Sequence, residues 1–145
     1  MIKLYKICVS LFFLFGFTNL TLANESFFTE GVKLFDAKKY DDAKFLFERS
    51  IVFEPKHAKS YLYLAKIYKE KKNQKKEKKN LEATLLIDPI NEEAILMLML
   101  IGIEKTNYSK VKELSEKFSK VCKNLCNENK KILQDLKNLE PKNES

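Results

Sequence analysis

The sequence predicts an all-α chain of helical hairpins placed in series, on three observations. Only three Gly and three Pro interrupt 145 residues of 45% apolar content, fewer turn residues than an all-β chain of this size would need. Pro55 and Pro89 stand 34 residues apart. Each closes an apolar run at helical spacing: Phe45-Leu46-Phe47 to Ser50-Ile51 before the first, Leu81 to Thr84-Leu85-Leu86-Ile87 before the second.

Residues 1–23 read as a signal peptide that is not part of this fold. Lys3 and Lys6 give a positive start, and Ile7 to Phe17 is an apolar run broken by Ser10 and Gly16. Thr21-Leu22-Ala23 offers small residues where a signal peptidase reads, which places cleavage after Ala23 and removes Cys8 with the leader. The run is shorter than the roughly 20 residues that span a bilayer, so export to the periplasm or the medium is expected, with a retained membrane anchor as the alternative.

Counting back from Pro55 sets a first unit at 24–57, carried by Phe27, Gly31, Leu34, Tyr40, Ala43, Phe47 and Pro55. Gly31 lets its helix approach the partner helix and Ala43 is the small residue facing it, while Phe27, Leu34 and Phe47 fill the space between helices. Asp36 to Tyr40 supplies the turn. The second unit, 58–91, carries Tyr61, Leu64, Ala65, Tyr68, Leu81 and Pro89, with a turn at Lys71 to Gln74. There Gln74 and Glu77 stand where Tyr and Ala are expected, predicting a frayed or splayed start to its second helix. The third, 92–123, has Ile95, Leu98, Tyr108, Val111 and Phe118 and a turn at Lys105 to Tyr108, but Met99 replaces the small residue and Lys123 the proline. In the remainder, 124–145, Ile132, Leu133, Leu136 and Leu139 at helical spacing predict a capping helix that covers the last apolar face, followed by a polar tail.

These residues resemble the tetratricopeptide repeat (TPR) pattern over 24–123, closely in the first unit and least in the third. The resemblance implies a right-handed α-solenoid of about three helical hairpins plus the cap. A Sel1-like array or a plain helical bundle is the alternative.

Catalytic ingredients are missing from the sequence. His57 is the single histidine, so neither a metal set nor a catalytic triad can be completed around it. Gly16, Gly31 and Gly102 are isolated and form no phosphate-binding loop, and carboxylates such as Glu113 and Glu116 alternate with lysines such as Lys117 as on a solvated helix face. No enzyme activity, cofactor or metal site is expected. Cys122 and Cys126 have C-x-x-x-C spacing, neither a redox dithiol motif nor half of a common zinc site. In an exported chain the pair suggests a disulfide, which requires the helix to end near Lys123 or Asn124; free thiols and a redox role remain open.

Without its leader the chain carries 25 basic and 20 acidic residues, or +5. Seven lysines and two glutamates between Lys69 and Lys79 account for all of that excess. Lys71, Lys72, Lys75, Lys76, Lys78 and Lys79 form a basic patch that reads either as a solvated turn or as a dock for anionic lipid or polysaccharide. Nucleic acid is not expected as a partner, since export and the lone Arg49 both argue against it.

The TPR resemblance further implies which positions face a concave groove: Phe28, Val32 and Phe35 in the first unit, Leu62, Lys66 and Lys69 in the second, Leu96, Leu100 and Ile103 in the third. Such an oily trough suits an amphipathic helix or an extended apolar peptide, with Lys66 and Lys69 available to an acidic residue. The same positions could instead be covered by the mature amino terminus, the cap helix or a second copy of the chain. Phe28 and Val32 occupy the places of the Lys and Asn that grip chaperone tails in carboxylate-clamp TPRs, which disfavours that mode. The expectation is a non-catalytic scaffold or adaptor of the cell envelope that binds a peptide or protein segment; envelope-surface binding through the lysines and a structural homo-oligomer are the rivals.

Overall fold

The computed structural model describes residues 18–139, with side chains from residue 26 onward. Residues 1–17, which hold most of the expected signal peptide, and 140–145 of the tail lie outside the described residues. Among those described there are seven helices and no strand: α1 Thr18–Asp36, α2 Tyr40–Phe53, α3 Ala58–Glu70, α4 Gln74–Ile87, α5 Glu92–Glu104, α6 Tyr108–Val121 and α7 Cys126–Leu139. Helices pair as α1 with α2, α3 with α4 and α5 with α6; each pair stacks on the next, and α7 closes the end against α5 and α6. This is an all-α repeat solenoid. Among the described residues no helix is long and apolar enough to cross a membrane.

The turns inside the three hairpins repeat one backbone solution. Lys38, Lys72 and Thr106 adopt left-handed φ of 59°, 53° and 53°, 34 residues apart. After α1, the Lys39 amide donates to the Leu34 carbonyl and the Lys38 amide to that of Phe35, and the same pair of bonds follows α3 and α5. This is the Schellman arrangement, which satisfies the last carbonyls of a helix. The residue that ends each turn also starts the next helix: Asn73 and Asn107 accept from the amides of Lys76 and Lys110. Lys39, with similar φ and ψ, makes no side-chain cap. Lys39→Asn should therefore add about 1 kcal/mol of stability by installing the missing cap. Thr106→Gly should add about 0.5–1 kcal/mol by removing a β-branched side chain from left-handed backbone. Urea unfolding checks both; no gain from either would show that these turns do not limit stability.

The packing inside each hairpin sets a small residue against a large one. A Cβ added at Gly31 would lie 2.8 Å from Phe47 Cε1. Ala65 and Leu81, one period on, are both fully buried in the same cluster. In the third hairpin the sizes are exchanged: fully buried Met99 stands at the place of Gly31, and Ser115, 3% exposed, at that of Phe47. Gly102 supplies the close approach there, since a Cβ on it would lie 2.7 Å from Val111 Cγ2. The third unit is therefore a repacked hairpin with its volume conserved, and the sequence departs from the pattern without loss of the fold.

The expected fraying at the start of α4 is not found. Asn73 caps the helix and Gln74 donates to Glu104 of the next unit. Glu77 is buried where its counterparts are Ala43 and Val111, and burial pushes its carboxyl above the ordinary value of 4.5, against the nearby Lys69 charge. Between units, Lys71 pairs with Asp41, whose carboxyl it holds below the usual range. A buried polar relay joins α2 to α3: Ser60 Oγ donates to Ser50 Oγ at 2.8 Å, and His57 Nδ1 lies 2.7 Å from Ser60 Oγ. His57 thus fastens the joint between the first two units.

Candidate functional site

A trough of about 750 Å³ opens on the face formed by the first helices of the hairpins. Its floor and near wall are Phe28 and Val32 of α1 with Leu62 and Tyr63 of α3; Ile90 in the α4–α5 turn and Leu125 before α7 continue the apolar lining. Charge is placed at the edges. Lys66 pairs with Glu93 across the second and third units at 2.8 Å and lies 4.6 Å from the Tyr63 ring centroid; Lys59 and Asp88 also line the trough.

The rings beneath the near wall form one cluster. Tyr63 touches Phe28, Phe35 and Phe47 at centroid separations of 5.6, 5.2 and 5.0 Å, and His57 meets the edge of Phe28 at 4.7 Å. The shape of the trough is therefore set by the same aromatic contacts that hold the first two units together. Reasoning from repeat positions missed Tyr63. Its one sequence signal is the Tyr61-Leu62-Tyr63 run, which puts aromatic surface on both sides of a groove residue.

The far wall is fixed by a carboxylate. Glu92, the first residue of α5, accepts from three successive backbone amides, those of Lys123 at 2.7 Å, Asn124 at 3.1 Å and Leu125 at 2.7 Å. The Leu125 amide first, then those of Lys123 and Asn124, hold the Glu92 carboxyl below the ordinary value of 4.5. The disulfide between Cys122 and Cys126, with Cα atoms 5.4 Å apart, brackets the same loop; α6 ends at Val121, so Cys122 is extended and the two sulfurs can meet. A carboxyl with a lowered folded-state value stabilises the fold above its unfolded value, and that stabilisation is lost as pH falls through the folded value. Acidification should thus loosen the seat of α7, and Glu92→Gln, which keeps a single acceptor oxygen for the three amides, should loosen it already at neutral pH and flatten the pH dependence. Hydrogen exchange of the α7 amides across an acid titration checks this; identical profiles for the two proteins would contradict it.

The nine expected groove residues divide. Phe28, Val32, Leu62 and Lys66 share the trough. Phe35 is half-buried between the rings of Tyr40 and Tyr63, and so is part of the core. Leu96, 8% exposed, packs in a cluster with Ile132 and Leu136, so the cap helix covers it; Ile103 packs against the same cluster. Leu100 and Lys69 are exposed and do not line the trough. The basic patch is also divided. Lys71 is tied to Asp41, Lys76 lies 5.3 Å from the Tyr68 ring centroid, Lys78 pairs with Glu82 at 3.7 Å, and Lys75 and Lys78 turn toward a different groove from the trough. Lys72 and Lys79 are exposed. Among the described residues no group of three His, Cys, Asp or Glu side chains is placed to hold a metal ion.

No family model and no curated protein matches the chain. Solved structures do. The type III secretion chaperone SycD of Yersinia enterocolitica, in complex with a peptide of the translocator YopD, aligns with a TM-score of 0.71 at 13% identity over 78% of this chain and 91% of that one. The first TPR of Spaghetti (RPAP3), bound to the HSP90 peptide SRMEEVD, aligns at 0.68 and 18% identity over 80% of this chain and 94% of that one. The Sgt2 TPR domain from Aspergillus fumigatus aligns at 0.65 and 20% identity over 79% of this chain and 77% of that one. What these structures share with the chain is the architecture: its fold is that of TPR domains.

Proposed function

We propose that this chain is a non-catalytic scaffold that holds a segment of another protein in the trough of its first-helix face. The observation that carries the reading is the apolar lining that, among the described residues, stays open with the cap helix in place, from Phe28 to Leu125, with Ile90 53% exposed at its edge. An apolar floor with lysines and carboxylates at the rim suits an extended or helical segment that is anchored by apolar side chains and oriented by polar ones. Two of the similar structures hold peptides, which supports the reading by analogy of fold. Phe28 and Val32 leave no carboxylate clamp, so apolar contacts come first. The setting we propose is outside the cytoplasm, at the cell envelope, for the positively charged start and apolar run of residues 1–23 and for a disulfide that suits an oxidising compartment.

The test is a quantitative pull-down from the native host with Ile90→Glu and Lys66→Glu variants. Ile90 is exposed at the trough edge, so Ile90→Glu should fold and captured partner should fall at least about tenfold; Lys66→Glu sets a second carboxylate against Glu93 and so probes the rim at some cost in stability. Phe35→Asp would be a poor choice, because its ring is part of the fold. Capture unchanged by Ile90→Glu would reject the trough as the binding site.

A further inference from the structure

The face formed by the second helices carries another groove. α4 and α6 stand apart over α5 and enclose about 860 Å³. Leu85, Leu98, Ile101 and Leu114 line it, and Leu86, 85% exposed, stands at its mouth. Leu98 and Ile101 are on the side of α5 away from the trough, so the two grooves are separate.

The rim is basic in a specific way. Five lysines face this groove with two glutamates, Glu82 and Glu113. Both glutamates are already paired, with Lys78 at 3.7 Å and Lys110 at 2.6 Å. Lys75, Lys105 and Lys117 have no carboxylate partner among the described residues, so the rim presents three positive charges around an apolar floor. Those charges come from three different elements, α4, the α5–α6 turn and α6, which makes the arrangement a property of the fold and not of the lysine-rich stretch alone.

We propose that this second groove binds an acidic amphipathic segment of a partner protein, apolar side chains down against Leu85, Leu98 and Leu114 and carboxylates out against Lys75, Lys105 and Lys117. Charge complementarity chooses the occupant. A second copy of the chain carries a net positive charge and the same basic rim, which opposes self-association here. A lipid bilayer is flat and would meet the rim while leaving the recessed floor unused, and the two rim glutamates oppose anionic headgroups.

Fluorescence anisotropy with two short synthetic amphipathic peptides tests the proposal. Both carry the same leucine stripe, one with glutamates and one with lysines on the polar face; vesicles containing phosphatidylglycerol are the third probe. The full chain should bind the acidic peptide and neither the basic one nor the vesicles. Leu86→Glu and the double variant Lys105→Glu, Lys117→Glu should each weaken binding by about tenfold or more. Val52→Glu, 77% exposed at the same place in the preceding unit but outside the groove, should change nothing, and Ile90→Glu in the trough should change nothing. These positions are exposed, and circular dichroism will report that the helices persist. Absence of acidic-peptide binding, equal binding of the basic peptide, preference for vesicles, or indifference to Leu86→Glu would each overturn the proposal. Loss of binding through Ile90→Glu alone would assign the peptide to the trough instead, and would leave the proposed function standing while this one fell.

Discussion

Phe47→Ala is expected to remove about 3–5 kcal/mol of stability, the range for truncating a fully buried phenylalanine. The ring is 0% exposed and fills the gap that Gly31 leaves open. It also stacks on Tyr63 at 5.0 Å and meets Phe28 at 5.7 Å, so its loss leaves a cavity under the trough wall as well as between two helices. For a small domain with a total stability of about 5–15 kcal/mol, this is a large fraction. Urea unfolding gives the number, and ligand capture should fall with it because the wall residues lose their support. A cost of about 1 kcal/mol or less would mean that the aromatic cluster does not hold the first two units together.

Met99→Ala is expected to cost about 2–5 kcal/mol, with part of that loss returned when Ser115→Leu is added. Met99 is fully buried in the cluster that joins α5, α6 and α7, and the repeat period sets it against Ser115 as it sets Gly31 against Phe47. If the third hairpin is the same unit with large and small exchanged, restoring the usual order of sizes refills the same volume. Denaturant unfolding of the two single variants and the double variant forms the cycle. Strict additivity, with no rescue, would show that the two positions do not share one cavity.

How much of this was legible in the sequence follows from which interactions are local to the repeat. The period between Pro55 and Pro89 and the apolar spacing sufficed for the number of hairpins, their turns and the cap, because those depend on patterns within one unit. Gly31 and Ala43 could be read as close-approach residues for the same reason. The third unit read as weak because its small residue was sought at Met99 alone; the compensating Ser115 and Gly102 are visible only when both helices of the hairpin are compared. Glu77 suggested a frayed α4, yet the start of that helix is held by the cap on Asn73, four residues earlier.

The binding face was less legible, because repeat positions say which way a side chain points and not what covers it. Leu96 was expected in the groove, and it is packed under Ile132 and Leu136 of α7. Phe35 was expected in the groove, and its ring packs between those of Tyr40 and Tyr63 from the next unit. Glu92 was silent in the sequence: its role depends on three amides from a loop more than thirty residues away. The basic stretch looked like one patch along the chain, and helix geometry spread it over a turn and two faces.

Photo-crosslinking from single sites in the native host tests the central claim most directly. A benzophenone side chain placed at Ile90 or Lys59, on the trough, should trap the same partner protein, and one placed at Val52, exposed on the second-helix face of the first unit, should not. Equal crosslinking from Val52, or none from either trough position, would contradict a trough that holds a protein segment.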